Sequence, residues 1–209
     1  IGDIEIVKLL MSYGLKLDTE CFNIVVKGNY GELIRLMIEE GVEINNWALY
    51  NTIYYCDIEN IEIMCNKYKL ITFCYEAAFM KKSLELCKYI YKHGVPFDHK
   101  IFANAILMCN MSIWEWLYIN KCPYGVDCYN TAIMINNLDA IKYLESIKCN
   151  FNSKTLKIAI KYSNVDILLY FLKIMRGYNN ILRREDIKDI VERRNDPQVT
   201  YMVYDFIKI

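Results

Sequence analysis

The amino-acid sequence predicts an all-α protein built as an α-solenoid of stacked helix-loop-helix repeats. Three observations lead to this prediction: an apolar pattern that returns about every 27 residues, helical spacing within each copy, and no β pattern of comparable length. The copies are easiest to see in a six-residue segment at residues 5–10, 32–37, 59–64, 85–90, 112–117, 139–144 and 166–171. A single helical pair cannot bury its own apolar face, so the copies are expected to share one continuous core.

The recurring segment is predicted to be the second helix of each repeat. In the first copy, apolar residues fall at i, i+3, i+4 and i+7, namely Ile6, Leu9, Leu10 and Tyr13. Short polar side chains before the helix can cap free backbone N–H groups, and acidic residues in the first turn are favoured by the helix dipole. The capping column contains Asp3, Asp57, Asn110, Asn137 and Asn164, and the acidic column contains Glu5, Glu32, Glu59, Glu85, Asp139 and Asp166.

Each second helix is expected to end in a residue with left-handed backbone conformation. Gly14, Gly41 and Gly94 occupy this exit position, where glycine adopts a positive φ at little cost. Lys121 and Lys148 stand at the same position in two later copies. Those two exits are therefore expected to be either strained or closed in a different way.

Two tryptophans in the fifth copy look at first like a special site, but both belong to the repeat. Trp114 stands in one column with Ile34 and Ile141, and Trp116 stands in the column of Tyr143. Both tryptophans are therefore predicted to be packing residues.

The first helix of each repeat is shorter and combines a column of small residues with a column of large ones. Small residues let neighbouring helices approach closely, and large residues fill the space between repeats. The small column contains Val25, Thr52, Ala78, Ala105, Ala132 and Ala159, and the large column contains Phe22, Leu49, Tyr75, Phe102, Tyr129 and Leu156. Asp18, Asn45, Asp98 and Asn152 precede the helix as predicted caps.

Both ends of the chain depart from the repeat. The chain begins at Ile1 within a second helix, which favours a fragment of a longer protein whose missing part, or another contact, covers that helix. We predict a repeat array of about six and a half copies over residues 1–178 and a C-terminal capping pair over 179–209, with helices at 184–194 and 197–207. The basic residues of the pair are interpreted as a solvated face, with a basic docking patch as the alternative; they are Arg183, Arg184, Lys188, Arg193 and Arg194.

Composition excludes several classes of function. Lys plus Arg equals Asp plus Glu, 25 each, so neither nucleic acid nor an anionic membrane is expected as a partner. The nine cysteines form no C-x-x-C pair and do not combine with His93 or His99 at zinc spacing, so they are interpreted as reduced thiols used as small apolar residues. This predicts an intracellular, reducing compartment: the cytoplasm, a host cytoplasm or a virion. No catalytic, cofactor or metal motif is present, which predicts a protein that is not an enzyme.

Residues 2–14 and 32–45 resemble the second helix and exit loop of ankyrin repeats, and the alanine column resembles the first helix of that family. The resemblance covers residues 1 to about 178. It departs from the family in its period of 27 rather than about 33 residues, in the missing β-turn finger, and in the absent Thr-Pro-Leu-His start of the first helix. Short repeats of this kind are similar to those of large DNA viruses and some protists. The resemblance implies a protein-binding scaffold whose first helices line a concave side.

On that concave side, three columns of the first helices are expected to point outward. Trp47, Tyr50, Tyr54 and Phe73 fall in these columns on two adjacent repeats, and Lys100 follows in the column of Trp47 and Phe73. Because grouped, exposed aromatic residues are typical interface anchors, these five residues are the predicted partner-binding site. The alternative is that the aromatic residues pack between repeats or against the missing N-terminal part.

These observations together predict a non-catalytic scaffold that binds a partner protein through the concave face of an ankyrin-type solenoid. Two alternatives remain, a structural component of a viral particle and the substrate-recruiting arm of a ubiquitin ligase or another multidomain enzyme. The pattern leaves open the identity of the partner and the oligomeric state.

Overall fold

The structure is a computed structural model that describes residues 3–108, 110–175 and 184–207. These residues form helices joined by short loops, and no strand occurs in these ranges, which confirms the predicted all-α class. None of the helices within these ranges has the length and hydropathy needed to cross a membrane. The chain divides into two compact units, Ile1–Asp98 and His99–Ile209.

In the first unit, a lone helix precedes three helical pairs. The helices are α1 (Ile4–Ser12), α2 (Thr19–Lys27), α3 (Gly31–Glu39), α4 (Asn46–Tyr55), α5 (Ile58–Cys65), α6 (Cys74–Met80) and α7 (Leu84–Lys92). The first helices of the pairs contact one another in chain order, α2 with α4 and α4 with α6, and α3 contacts α5. Consecutive pairs therefore pack side by side, as stacked repeats require.

The second unit continues with helical pairs of the same kind. Its helices are α8 (Ile101–Met108), α9 (Met111–Ile119), α10 (Val126–Met134), α11 (Leu138–Ser146), α12 (Ser153–Tyr162), α13 (Val165–Met175), α14 (Arg184–Arg194) and α15 (Pro197–Ile207). The first helices α8, α10, α12 and α14 contact one another in order. Helices α14 and α15 have the predicted bounds, and they pack on α12 and α13 although their sequence leaves the repeat register. The predicted domain boundary near residue 178 lies outside the described residues.

The core lies where the repeat columns predict it. The large column of the first helices is buried throughout, and the small column is buried from Thr52 onward. Trp114 is also buried, at 3% exposure, and its indole N–H donates a 2.8 Å hydrogen bond to the Ala105 carbonyl, as expected of a packing residue. Trp116 is only half-buried, so its packing prediction holds in part.

Helix α1 is the exception to this burial. Its predicted core stripe is exposed: Ile6, Leu9 and Leu10 keep 47–57% of their accessible surface, and Tyr13 keeps 83%. No residue of α1 is buried. We expect a missing part of the protein or another contact to cover this stripe, which no described residue buries.

Helix caps follow the predicted columns with one correction. Asp3, Asp57, Asn137 and Asn164 accept hydrogen bonds from backbone N–H groups in the first turns of their helices. Asn110 stands before α9 but makes no capping bond, since its side chain instead accepts from the Ser112 hydroxyl at 2.7 Å. Three predicted caps of first helices also hold; they are Asp18, Asn45 and Asn152.

Five second helices end with the same backbone geometry, although the residue at this position is glycine in three of them and lysine in two. Gly14, Gly41 and Gly94 have φ between 77° and 95°, as expected. Lys121 and Lys148 adopt the same left-handed region with φ of 59° and 54°. These two exits are therefore closed in the same way as the others, at the steric cost of a Cβ.

A polar link between consecutive repeats was not predicted. The Asn29 side-chain amide donates to the Asp57 carboxylate at 2.9 Å, and the Asn60 side-chain amide donates to the Asn29 Oδ1 at 2.7 Å and to the Asn29 carbonyl at 3.1 Å. Asn60 is nearly buried in a column that holds Leu33 in the preceding repeat. Helix α3 approaches so closely that a Cβ on Gly31 would collide with the Asn60 Oδ1.

Helices α14 and α15 each bury apolar side chains, and one of their basic residues differs from the prediction. The buried side chains are Ile187, Val191, Val199 and Val203. Arg194 does not belong to a solvated basic face, because its guanidinium donates to the Ile160 carbonyl at 2.6 Å and lies 3.8 Å from the Asp196 carboxylate. Lys188 and Arg193 are exposed, and the side chains of Arg183 and Arg184 lie outside the described residues.

Candidate functional site

The candidate site is built on α4. Asn45 caps this helix by accepting from the Ala48 N–H at 2.8 Å, and the opposite face packs into the core through residues such as Leu49 and Ile53. Spacings of three and four residues bring Trp47, Tyr50 and Tyr54 onto the remaining face, one above another. We call these three residues the aromatic ladder.

The rings of the aromatic ladder form one stack. The Trp47 and Tyr50 rings lie 4.9 Å apart between centroids and 2° from parallel, and Tyr50 and Tyr54 lie 6.1 Å apart and 10° from parallel. Phe73, which precedes α6, lies 5.1 Å from the Tyr50 ring and 6.2 Å from the Trp47 ring. The structure therefore brings the four aromatic residues of the predicted site together, and their role in binding a partner stays a prediction.

The aromatic ladder is partly exposed to solvent, and the helix that carries it is bonded to its neighbour. Trp47 keeps 53% of its surface exposed, whereas Tyr50, Tyr54 and Phe73 are half-buried. Asn51, on the flank of α4, donates to the Asn23 side chain of α2 at 2.8 Å. This bond fixes α4 against its neighbour, so the ladder is a pre-formed surface that loses little conformational freedom on binding.

Ring hydroxyls and an indole give the ladder a polar edge. No hydrogen bond of the Trp47 indole or of the Tyr50 and Tyr54 hydroxyls occurs within the described ranges. Partial burial, followed by the nearby Tyr54 hydroxyl and the Glu76 carboxylate, raises the pKa of the Tyr50 phenol. Tyr50 therefore stays protonated at neutral pH and remains a hydrogen-bond donor.

Lys100 is the fifth residue of the predicted site, and Tyr55 is a neighbour of the aromatic ladder that was not predicted. Lys100 is exposed and precedes α8 in the second unit, so the cluster consists of residues of the first unit. Its role in binding stays a prediction. Sequence reasoning missed Tyr55, which packs edge-on against Tyr54 at 4.8 Å and is 42% exposed. The signal was its position next to Tyr54, where a helix turns the side chain only partly away.

The cysteines that the structure describes pack in the interior or at its border. Within the described residues, no group of three or more His, Cys, Asp or Glu side chains has the arrangement of a metal site. Eight cysteines in these ranges are buried or half-buried and none forms a disulfide there, while Cys109 lies outside them. Burial raises the pKa of the Cys56 thiol to about 12 and of the Cys74 thiol to about 11, as for thiols used in packing.

Comparison with known proteins adds no family. No protein-family model matches the chain, and no curated protein matches it with significance. A function is therefore inferred from the helical pairs and from the geometry of the aromatic ladder.

Proposed function

We propose that the chain is an α-solenoid of ankyrin-type repeats and acts as a non-catalytic scaffold that binds a partner protein. The binding surface is the face of its first helices, centred on the aromatic ladder. The observation that carries this proposal is a stack of three aromatic rings, one exposed and two half-buried, on a helix whose other face is packed in the core.

Physical chemistry supports this use of the ladder. Tryptophan and tyrosine dominate binding energy at protein interfaces, because they bury a large area and lose few rotamers. A group of exposed rings in contact with water is unfavourable for an isolated chain, and a partner that covers it gains the corresponding free energy. The helical pairs on both sides supply the rigid support that such a site needs.

The proposal is tested by comparing partner capture by the wild-type chain and by a double variant, Trp47→Ala with Tyr50→Ala. The immobilised proteins are exposed to lysate of the cells in which the chain is expressed, and retained proteins are quantified by mass spectrometry. We expect at least one protein to be retained by the wild type and lost from the double variant. A matched control removes two exposed rings elsewhere, Tyr118→Ala with Tyr201→Ala, and is expected to retain that protein.

Stability measurements separate loss of binding from loss of fold. The double variant removes four ring contacts, but its two rings are exposed or half-buried, so it should lose less free energy of unfolding than truncation of a buried ring. Trp114→Ala should lose about 3–5 kcal/mol, because that ring is buried. Retention of the same proteins by the wild type and the double variant would reject the ladder as the binding surface.

A further inference from the structure

Cysteine occupies two columns of the repeat that lie 21 residues apart. One column is in the first turn of the first helix, and the other directly follows the exit of the second helix. The pairs in these columns are Cys21 with Val42, Cys74 with Val95, Ile101 with Cys122, and Cys128 with Cys149. The first three pairs contain one cysteine each, and the fourth contains two.

Cys128 and Cys149 converge on one backbone carbonyl in the second unit. The Cys149 thiol donates to the Gly125 carbonyl at 3.3 Å, and the Cys128 backbone N–H donates to the same oxygen at 2.9 Å. The two thiols also lie within hydrogen-bonding reach of each other. A disulfide joins cysteines whose Cα atoms lie about 4.4–6.8 Å apart, so neighbouring thiols of this kind are placed for such a bond.

The two thiols differ in acidity. Turned toward the neighbouring sulfur, the S–H of Cys149 stabilises the Cys128 thiolate and lowers the pKa of Cys128, although burial and the Asp127 carboxylate oppose ionisation. The same hydrogen bond, together with burial, raises the pKa of Cys149. Cys128 is also the third residue of α10, where the helix dipole favours a thiolate. Cys128 is therefore the nucleophile of the pair, because the thiolate is the reactive form.

A small cavity gives access to Cys128. It has a volume of about 150 Å³, and Cys128 lies in its wall together with His99 and Tyr124. His99 and Tyr124 are exposed, so the cavity opens to solvent, whereas Cys128 and Cys149 keep only 1% and 4% of their surface exposed. A water molecule occupies about 30 Å³, so the cavity admits a molecule as small as hydrogen peroxide.

A zinc ion is the less favourable occupant of this pair. Structural zinc takes four protein ligands, and catalytic zinc takes three. Within the part of the chain that the structure describes, no third His, Cys, Asp or Glu side chain joins the two thiols in such an arrangement.

We propose that Cys128 and Cys149 form a redox modification site, at which hydrogen peroxide converts the two thiols into a disulfide. The Cys128 thiolate attacks one peroxide oxygen, the O–O bond breaks, and the other oxygen leaves as hydroxide, which takes up the proton lost by Cys128. The Cys149 sulfur then attacks the Cys128 sulfenic acid, the S–O bond breaks, and the hydroxyl group leaves with the Cys149 proton as a second water. Two molecules of a small thiol reverse the reaction by exchange, so a reducing compartment restores the pair.

This inference goes beyond the proposed scaffold function. Both cysteines belong to the second unit, and the aromatic ladder belongs to the first. The redox site can therefore fail its test while the binding proposal stands, and the reverse also holds.

The test treats the folded, fully reduced chain with a small excess of hydrogen peroxide, blocks the remaining thiols with N-ethylmaleimide, and digests with trypsin. Cleavage at lysine places Cys128 in residues 122–142 and Cys149 in residues 149–154. Mass spectrometry should find these two peptides joined, with fragment ions assigning the bond to Cys128, and dithiothreitol should separate them. The bond should form at least about tenfold faster than Cys74 is oxidised, because Cys74 is buried in the column of Cys128 but faces Val95 in place of a second thiol.

Three variants assign the two roles. Cys149→Ala should prevent the bond and let the Cys128 sulfenic acid accumulate, where dimedone labels it. Cys128→Ala should give neither the bond nor dimedone labelling of Cys149, and alanine suits this column because Ala48 already stands in it. Cys122→Ala is the matched control, since Cys122 is as buried as Cys128 and shares its tryptic peptide, and it should leave the bond unchanged. Circular dichroism verifies the fold of each variant.

Failure of the folded chain to form the bond would overturn the inference, whether or not the bond forms after unfolding in urea. So would a bond through Cys122 in place of Cys128, or oxidation of Cys74 at the same rate as the pair. Dimedone labelling of Cys149 in the Cys128→Ala variant would contradict the assignment of Cys128 as the nucleophile.

Discussion

Helices α1 and α3 are second helices with the same sequence pattern, yet they differ in burial. In α3, Leu33, Ile34 and Met37 are buried, whereas the equivalent residues of α1 are exposed or half-buried. Helix α3 packs against α2 and α5, while α1 contributes no buried residue. The apolar stripe of a repeat is therefore a contact surface for neighbouring repeats, and its contribution to stability depends on those neighbours.

The largest effect is expected when equivalent apolar residues of α3 and α1 are truncated. Met37→Ala should lower the free energy of unfolding by about 2–5 kcal/mol, because Met37 is 1% exposed and its removal leaves a cavity. Leu10→Ala, at 47% exposure, should cost less than about 1 kcal/mol. Urea unfolding followed by circular dichroism measures both. Equal losses would show that the apolar face of α1 is covered in solution.

The next largest effect is expected when the hydrogen bonds between Asn29 and Asn60, which link two consecutive repeats, are removed. Asn60→Ala removes both hydrogen bonds that the Asn60 amide donates to Asn29, just before α3 begins, and should cost about 1–3 kcal/mol. Amide hydrogen exchange should show faster exchange in the first turn of α3 and unchanged exchange in α1, which has no such link. Ser112→Ala serves as the control, since its hydroxyl is exposed and bonded only to Asn110. Unchanged exchange in α3 would mean that packing alone holds this helix.

A smaller effect is expected at the helix exits. Gly41→Ala places a Cβ on a residue with φ of 77° and should destabilise by about 1 kcal/mol. Nothing lies near a Cβ at Gly41 or at Gly14, so the cost comes from the backbone. Gly14→Ala carries similar strain, but it should change the unfolding midpoint less, because α1 is weakly coupled to the rest of the fold. Equal shifts in the midpoint would indicate that α1 unfolds together with α3.

The smallest effect concerns pH. The Asn29 amide and the Asn60 backbone N–H donate to the Asp57 carboxylate and lower its pKa in the folded protein. The resulting stabilisation is present above the unfolded pKa of about 3.9 and is lost as the pH falls through the folded pKa. Wild-type stability should therefore fall more between about pH 5 and pH 3 than that of Asp57→Asn, as measured by urea unfolding. A parallel decline in the two proteins would exclude a contribution from this carboxylate.

Much of the fold could be predicted because the repeat signal is periodic. The columns of Phe22 and Ala78 predicted which helix faces are buried, and the helix predicted over residues 197–207 matches α15. Contacts between residues far apart in sequence could not be predicted in this way. The sequence does not explain a polar Asn60 in an apolar column, because its hydrogen-bond partner Asn29 lies in the preceding repeat. It also does not distinguish Arg194 from exposed basic residues, because the Ile160 carbonyl that accepts from it is distant in the sequence.

The candidate site shows the same limit. Helical spacing was sufficient to bring Trp47, Tyr50 and Tyr54 onto one face. Their parallel stacking, however, depends on side-chain rotamers and on Phe73 from the next repeat. Periodicity constrains the direction of a side chain from the helix but not the rotation of its ring.

The lysines in left-handed conformation at positions 121 and 148 have a consequence for recognising such turns from sequence. The exit of a second helix keeps its positive φ with either glycine or lysine, so residue type alone does not mark it. A comparison of backbone dihedral angles would align these exits where a comparison of residue types would not.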